Sequence, residues 1–116
     1  MADEYFFEIY RGKDRGKQKY RWRFVDAYTE RNIAKSEEPF VSALTCRRSI
    51  DRVRAYKGKK VETFIGKDKK CYWRIKANNG AMLAVSSMGY DNALNNDEYL
   101  NNFLKNVKKT KIIIND

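Results

Sequence analysis

Hydrophobic and polar residues alternate along two similar segments, KYRWRF at residues 19–24 and CYWRIK at residues 71–76. Because side chains point alternately to the two faces of a β-strand, this period predicts strands with one buried and one solvent-facing side. The apolar sides carry Trp22 and Trp73, which we therefore place in the core. If helices cover the apolar face of an antiparallel sheet, the opposite sides of both strands meet solvent.

The remaining segments predict five further strands and two helices. The strands are YFFEIYR (5–11), NIAKS (32–36), VETFI (61–65), AMLAVSS (81–87) and KIIIN (111–115). Apolar residues recur at helical spacing from Ser42 to residue 56 and from Asp91 to residue 107, so Ser42 and Asp91 are the predicted N-terminal caps. Gly58 is predicted to end the first helix. A glycine-bearing hairpin loop (12–17), a turn (66–70) and Asn-Asn-Gly at 78–80 connect the strands.

The two halves of the chain resemble each other when Trp22 is aligned with Trp73. With one residue removed from the first half, similar residues coincide at Arg23 and Arg74, Ala34 and Ala84, Ser36 and Ser86, Phe40 and Tyr90, Ala43 and Ala93, Leu44 and Leu94, Ile50 and Leu100, and Val53 and Phe103. This predicts two pseudo-repeats, 5–60 and 61–115, within one compact domain spanning 1–116. We expect an α+β fold in which two β-β-β-α-β pseudo-repeats form one mostly antiparallel sheet with two helices on one face.

These motifs resemble the YegP-like family, small bacterial domains of unknown function that occur as tandem pairs or dimers. The resemblance lies in the aromatic-Trp-Arg strand, the Asn-Gly turn, the serine at a strand end, the aromatic residue before an alanine-containing helix and the basic helix exit. It spans residues 5–114. It implies that two β-β-β-α-β units form one continuous sheet and exchange their final strands, and it implies no activity.

The sequence departs from that plan in two places. DAYTERN at 26–32 replaces the Asn-Gly turn of the first unit, which predicts a longer and different turn. Between Ala55 and Trp73 there is room for one strand where the family plan has two. Either the last strand of the first repeat has merged with the first strand of the second, or one strand is missing.

Charge narrows the choice among functions. The 116 residues include 25 Lys and Arg against 15 Asp and Glu, a formal net charge of +10, which favours binding to polyanions. No apolar run approaches the roughly 20 residues needed to cross a bilayer, and the N-terminal sequence lacks a secretory signal. We therefore expect a cytoplasmic protein of a bacterium or a phage-infected cell, without membrane association, as a monomer or weak homodimer.

The residues that usually perform catalysis are scarce. The chain has no histidine, and its two cysteines, Cys46 and Cys71, lack metal-ligand spacing. We expect both thiols to be buried. No nucleophile is accompanied by a base, so we expect a protein that is not an enzyme and has no metal, cofactor or small-molecule substrate.

The solvent-facing positions of the two repeated strands carry cations and one aromatic ring. They are Lys19, Arg21, Arg23, Lys70, Tyr72, Arg74 and Lys76, and the hairpin adds Arg11, Lys13, Arg15 and Lys17. The leading hypothesis is that these cations neutralise phosphates while Tyr72 stacks on bases, so that the basic sheet face contacts nucleic acid or another polyanion with little sequence specificity. Alternatively, Glu8 and Glu62 on neighbouring strands neutralise part of this charge and leave an ordinary solvated face.

A second hypothesis is a protein-interaction module, such as an adaptor or a phage-encoded inhibitor. It would bind an acidic surface of a host protein or pair through a strand edge. The segment NNDEYLNN at 95–102 is the candidate contact region on the second helix. The arginines of the first helix, Arg47, Arg48, Arg52 and Arg54, are interpreted as solvated surface residues.

Overall fold

The computed structural model describes residues 5–12, 16, 19–55, 60–77 and 79–115, with the backbone alone for Lys109. The predictions for Lys13, Arg15, Lys17, Gly58 and Asn78 lie outside the described residues.

The described residues form seven strands, two α-helices and one turn of 3-10 helix. The strands are β1 (Tyr5–Arg11), β2 (Tyr20–Asp26), β3 (Asn32–Lys35), β4 (Lys60–Ile65), β5 (Cys71–Lys76), β6 (Met82–Ser86) and β7 (Ile112–Asn115). The helices are α1 (Ala43–Ala55), which follows β3, and α2 (Ala93–Asn106), which follows β6 and continues into the 3-10 turn (Val107–Lys109). Every predicted strand and helix is present, with its ends within two residues of the predicted positions.

All seven strands belong to one sheet with the order β4-β5-β6-β3-β2-β1-β7. Neighbouring strands are antiparallel except β1 and β7, which are parallel. The last strand of the chain therefore pairs with the first, while β4 and β7 lie at the two edges. Between α1 and β5 the described residues form the single strand β4, in agreement with the one strand predicted there.

Both helices cover the same face of the sheet. Trp22 and Phe24 lie on one face of β2, where the indole Nε1–H of Trp22 donates to Ser49 Oγ of α1 at 3.1 Å. The ring of Phe24 meets Phe103 of α2 edge-on at 4.9 Å, and Phe103 also contacts Trp73 at 5.2 Å. Both tryptophans are fully buried, as the alternation predicted. Each such ring pair contributes about 0.5–1.5 kcal/mol beyond the burial of its apolar area.

Buried serines at two strand ends satisfy backbone groups of the neighbouring strands. Ser36 Oγ accepts a hydrogen bond from the Trp22 backbone N–H at 3.2 Å, and Ser86 Oγ accepts one from the Trp73 backbone N–H at 3.1 Å. Both serines are buried. Because a buried N–H without a partner is costly, a small hydroxyl side chain suits these two positions.

The helix caps agree with prediction for α1 and differ for α2. Ser42 Oγ accepts from the Thr45 N–H at 3.1 Å, which confirms Ser42 as the cap of α1. In α2 the cap is Asn92, not Asp91: Asn92 Oδ1 accepts from the Asn95 N–H at 2.8 Å. Both residue types cap well, and the extended backbone at residue 92, with φ −146° and ψ 162°, decides between them.

The loop that replaces the Asn-Gly turn in the first half is organised by Asp26. Its Oδ1 accepts from the backbone N–H groups of Tyr28 at 2.9 Å and Thr29 at 3.2 Å, and Glu30 adopts a positive φ of 60°. The prediction of a longer and different turn is confirmed.

The two thiols differ in burial. Cys46 is fully buried on the sheet-facing side of α1, whereas Cys71 is only partly buried, so the prediction that both are buried is wrong for Cys71. Cys71 is the first residue of β5 and lies opposite the exposed Ile65 of the edge strand β4.

No helix in the described part of the chain combines the length and the apolar composition needed to span a membrane.

Candidate functional site

One row of residues crosses all seven strands on the face that the helices leave open. Backbone pairing aligns, from β7 to β4, Ile113, Glu8, Arg23, Lys35, Val85, Arg74 and Glu62. Because directly paired residues lie on the same side of a sheet, these side chains form a continuous line, the central row. A carboxylate and an arginine lie near each end of the row, and Lys35 occupies its centre.

The arginines of the central row are paired with the adjacent carboxylates. Arg23 Nε donates to Glu8 Oε1, and Arg74 Nε donates to Glu62 Oε2 at 2.8 Å. Lys76 Nζ lies 3.4 Å from the other oxygen of Glu62. The hydrogen bond from Arg74 is the main reason that the pKa of Glu62 lies below its ordinary value. Cross-strand neutralisation, the alternative raised by the sequence, therefore applies to these three cations.

Each of these arginines also lies over an aromatic ring. The guanidinium of Arg23 is 4.5 Å from the ring centre of Tyr10, and that of Arg74 is 4.8 Å from the ring centre of Phe64. A carboxylate and a ring two residues apart on the neighbouring strand thus hold each guanidinium in place. The side chains of Arg23 and Arg74 are therefore held in one orientation by their neighbours.

The side chain of Lys35 is exposed and forms no hydrogen bond or ion pair with any residue that the structure describes. It separates two shallow hollows in the open face of the sheet, of about 580 and about 600 Å³. The first, the Arg31 hollow, is lined by Tyr10, Arg23, Arg31, Asn32, Lys35, Ser87 and Met88. The second, the Tyr72 hollow, is lined by Arg21, Lys35, Glu37, Phe64, Gly66, Lys67, Asp68, Tyr72, Val85, Ser86 and Ser87.

Tyr72 is held firmly as one wall of its hollow. Its ring stacks on Phe64 at 5.5 Å, and its hydroxyl donates to Asp68 Oδ2 at 2.6 Å. This hydrogen bond raises the pKa of Tyr72 and lowers that of Asp68. Glycine is required at Gly66 and Gly89, because a Cβ there would lie 2.6 Å from Tyr72 Cε2 and 2.8 Å from Tyr72 Oη, respectively.

Four other proposed cations that the structure describes lie at strand ends and line neither hollow: Arg11, Lys19, Lys70 and Lys76. Arg11 lies over the ring of Tyr20, with 5.7 Å between the guanidinium carbon and the ring centre. Lys19 and Lys70 are exposed and immediately precede β2 and β5. Lys76 is paired in register with Lys60 near the end of β5. The structure thus brings together Arg21, Arg23 and Tyr72 around Lys35, while these four cations lie apart from them.

Sequence reasoning missed several residues that line the hollows. These residues lie in the short strand β3 or in loops, where the alternation of polar and apolar residues is interrupted. They are Lys35, Arg31, Lys67 and Ser87. Lys35 had a detectable signal, since it is an exposed cation of a predicted strand. Its position beside Arg23 depends on the pairing of β2 with β3, which shifts register between Phe24 and Val25.

The buried thiol lacks the properties of a nucleophile. Burial raises the pKa of Cys46 to about 12, so its thiol stays protonated at neutral pH. Its role in this structure is to pack α1 against the hydrophobic core.

The fold is that of YegP-like proteins, in agreement with the resemblance seen in the sequence. A UPF0339 protein from Shewanella oneidensis superimposes with a TM-score of 0.77 at 18% identity, over 96% of this chain and 91% of that one. The protein yegP of E. coli, described as of unknown function, also gives a TM-score of 0.77, at 20% identity over 99% of this chain and 96% of that one. The sequence matches no family model, and comparison with curated proteins finds no significant relative.

Proposed function

We propose that this protein is a non-enzymatic binding protein that contacts nucleic acid or another polyanion through the open face of its sheet, with little sequence specificity. The observation that carries the proposal is the position of Lys35: an exposed cation without a partner among the described residues, at the centre of the sheet face and between two hollows. The proposed function depends on Lys35 and the cations that line the two hollows, and not on every cation proposed from the sequence.

Charge around Lys35 supports the proposal. Five cations line the two hollows: Arg21, Arg23, Arg31, Lys35 and Lys67. Glu37 and Asp68 are the acids among the lining residues, and Asp68 is engaged by the Tyr72 hydroxyl. The hollows therefore keep a net positive charge, which attracts phosphate groups and makes binding fall steeply as salt is added.

The ion pair at Arg23 is compatible with a phosphate contact. A guanidinium carries five N–H groups, and the hydrogen bond to Glu8 uses Nε–H. The remaining N–H groups are available for an additional acceptor while Glu8 and Tyr10 fix the direction of the side chain. A positioned arginine loses less side-chain entropy on binding than a mobile one.

Fluorescence anisotropy with labelled single- and double-stranded oligonucleotides at two salt concentrations tests the proposal. Lys35→Glu should weaken binding at least about tenfold at low salt, because it reverses the charge between the hollows. Lys105→Glu on α2 makes the same change of charge on the helical side and is the matched control. Equal weakening by the two variants, or no binding by the unmodified protein at low salt, would refute the role of the sheet face.

We also infer that the chain is built from two pseudo-repeats and belongs to the YegP-like family. The Glu-Arg-aromatic contact of Glu8, Arg23 and Tyr10 recurs as Glu62, Arg74 and Phe64. The serine that accepts the tryptophan N–H recurs as well, as do isolated bridges from Tyr20 to Phe40 and from Cys71 to Tyr90. The paired contacts support a duplicated unit whose final strand, β7, pairs with the opposite half.

A second candidate function is suggested by the edge strand β4. Its helix-side residues are exposed, with 39% of Val61 and 70% of Ile65 accessible to solvent, and its outer edge has no neighbouring strand among the described residues. Exposed lysines flank this edge at Lys60 and Lys67. An extended acidic segment of a partner protein with alternating apolar residues would pair with β4 and complement this charge.

A designed peptide of alternating valine and glutamate tests this second candidate. In an NMR titration it should shift the amide signals of β4 and leave those of β7 unchanged. Ile65→Glu should abolish the shifts, because it places a like charge against the acidic peptide, and it should not unfold the protein, because residue 65 is exposed. Unchanged β4 signals at saturating peptide would rule out pairing at this edge.

A further inference from the structure

A separate cleft of about 450 Å³ lies on the helical side of the molecule, beside α1. Its walls are one flank of α1, the segment between β3 and α1, and the start of β6. The helix contributes Thr45, Arg48, Ser49 and Arg52, which recur at helical spacing and therefore line one side of the cleft together. Its volume lies within the range of about 300–1,000 Å³ typical of small-molecule sites.

Two pairs of unpaired charges face this α1 cleft. Arg48 and Arg52 lie one helical turn apart. Their side chains form no hydrogen bond or ion pair with any residue in the described part of the chain. The carboxylates of Glu37 and Glu38, on the segment after β3, also lack a described partner. Cations and carboxylates line the same cleft without forming an ion pair across it, which leaves both sets free to bind groups of a ligand.

The floor of the α1 cleft combines apolar surface with an available hydroxyl. Phe40 and Met82 are partly buried, and Leu83 beneath them is buried. Ser49 Oγ accepts from the Trp22 indole N–H at 3.1 Å, so its own O–H remains available to donate. A ligand with an anionic end, hydrogen-bond donors and a flat apolar part would complement this lining.

The corresponding flank of α2 is different. The positions that correspond to Arg48, Ser49 and Arg52 of α1 are occupied in α2 by Glu98, Tyr99 and Asn102. The ring of Tyr99 stacks on Tyr90 at 4.6 Å. Aromatic rings thus fill the space beside α2, so the charged cleft belongs to the α1 side.

We propose that the α1 cleft binds a nucleoside monophosphate. Arg48 and Arg52 bind the phosphate, since guanidinium groups match phosphate oxygens in bidentate geometry. Glu37 and Glu38 accept hydrogen bonds from the sugar hydroxyls, and the base lies against Phe40 and Met82. Glu37 lines both the α1 cleft and the Tyr72 hollow, whereas Arg48, Arg52, Glu38, Phe40 and Met82 line the cleft and neither hollow. The phosphate site formed by the two arginines is therefore separate from the polyanion-binding residues around Lys35.

Isothermal titration calorimetry with AMP, GMP, CMP and UMP tests the inference. We expect saturable binding of at least one nucleotide, and at least tenfold weaker binding by the double variant Arg48→Gln/Arg52→Gln. The matched control, Arg47→Gln/Lys105→Gln, also removes two exposed cations but none that line the cleft, and it should bind as the unmodified protein does. Absence of binding by the unmodified protein, or equal weakening in both double variants, overturns the proposal.

Further ligands and variants resolve which groups are bound. Inorganic phosphate and unphosphorylated nucleosides should each bind at least tenfold more weakly than the nucleotide, and equal affinity for either one overturns the assigned ligand class. Glu37→Gln/Glu38→Gln should weaken nucleotide binding and spare phosphate binding. Oligonucleotides with and without a 5′-phosphate distinguish a free nucleotide from a nucleic-acid end as the source of the phosphate. Lys35→Glu should leave nucleotide binding unchanged, which separates this site from the sheet face.

Discussion

Glu62 accepts a hydrogen bond from Arg74 Nε at 2.8 Å directly across the β4–β5 strand pair. The contact between Glu8 and Arg23 across β1 and β2 has the same form. A sheet face that looks uniformly basic along β2 and β5 is therefore partly neutralised by acids of the neighbouring strands. Lys35, which lacks such a neighbour, carries the charge that remains at the centre of the row.

Removing the two carboxylates should strengthen polyanion binding. We expect Glu8→Gln/Glu62→Gln to bind a labelled oligonucleotide roughly three- to tenfold more tightly, with a steeper salt dependence, because two arginines lose their internal partners. Glu62 and Arg74 are about one-third exposed, and ion pairs at such sites contribute little to folding, so the Glu62 substitution should change stability by less than about 1 kcal/mol. Glu8, with 14% of its side chain exposed, should account for most of any loss of stability in the double variant. Asp97→Asn/Glu98→Gln on α2 raises the net charge equally and is the control for a general effect of charge.

Arg54 links α1 to the segment that follows α2 and is therefore not the solvated surface residue expected from the sequence. Its removal should destabilise the fold. It donates to the carbonyl oxygens of Val107, at 3.0 Å, and Thr110, and its guanidinium lies 5.4 Å from the ring centre of Phe7. We expect Arg54→Ala to lower the free energy of unfolding by about 2 kcal/mol in urea denaturation. Arg47→Ala on the same helix should change it by less than about 0.5 kcal/mol, and similar losses in both variants would contradict this structural role.

The turn between β4 and β5 contains a strained residue. Lys69 has a φ of 65°, a left-handed conformation that glycine adopts at lower cost, and its N–H donates to the Gly66 carbonyl at 2.9 Å. Lys69→Gly should therefore raise the free energy of unfolding by roughly 0.5–1 kcal/mol. Lys67→Gly in the same turn, without a positive φ, should not stabilise the protein. Thermal and urea denaturation of both variants would reveal the difference.

Two buried groups make stability sensitive to alkaline pH. Burial raises the pKa of Cys46 from 9.0 and that of Tyr90 from 10.0, in each case to about 12. From pH 9 upward the unfolded chain loses these protons first, so the folded state binds more protons and the free energy of unfolding falls until pH 12. The slope is at most about 1.4 kcal/mol per pH unit for each group.

Urea denaturation between pH 8 and pH 11 measures this dependence. Cys46→Ala should flatten the decline between pH 8.5 and pH 9.5, where the Tyr90 phenol, whose pKa is 10.0 in the unfolded chain, is still mostly protonated in both states. An unchanged slope in that interval would show that Cys46 does not contribute.

Much of the fold could be predicted because it follows from local pattern. The alternation of polar and apolar residues in β2 and β5 placed Trp22 and Trp73 in the core. Ser42 was identified as a helix cap because its hydroxyl precedes a segment with apolar residues at helical spacing. The choice between Asp91 and Asn92 could not be made in this way, since both residue types cap helices well and the backbone conformation decides. The partial exposure of Cys71 likewise could not be predicted, because it depends on the pairing of Cys71 with the exposed Ile65 of the edge strand β4.

The sequence by itself determined which side chains face inward and which face outward along each element, because that follows from the geometry of a single strand or helix. It also showed that acids lie within reach of the arginines of the sheet face. Only the tertiary structure decided that Lys35 stands beside Arg23 without a partner among the described residues, and that Arg48 faces a cleft with Glu37. Neighbours across strands, and between a helix and a loop, depend on register and packing, which distant parts of the chain set together.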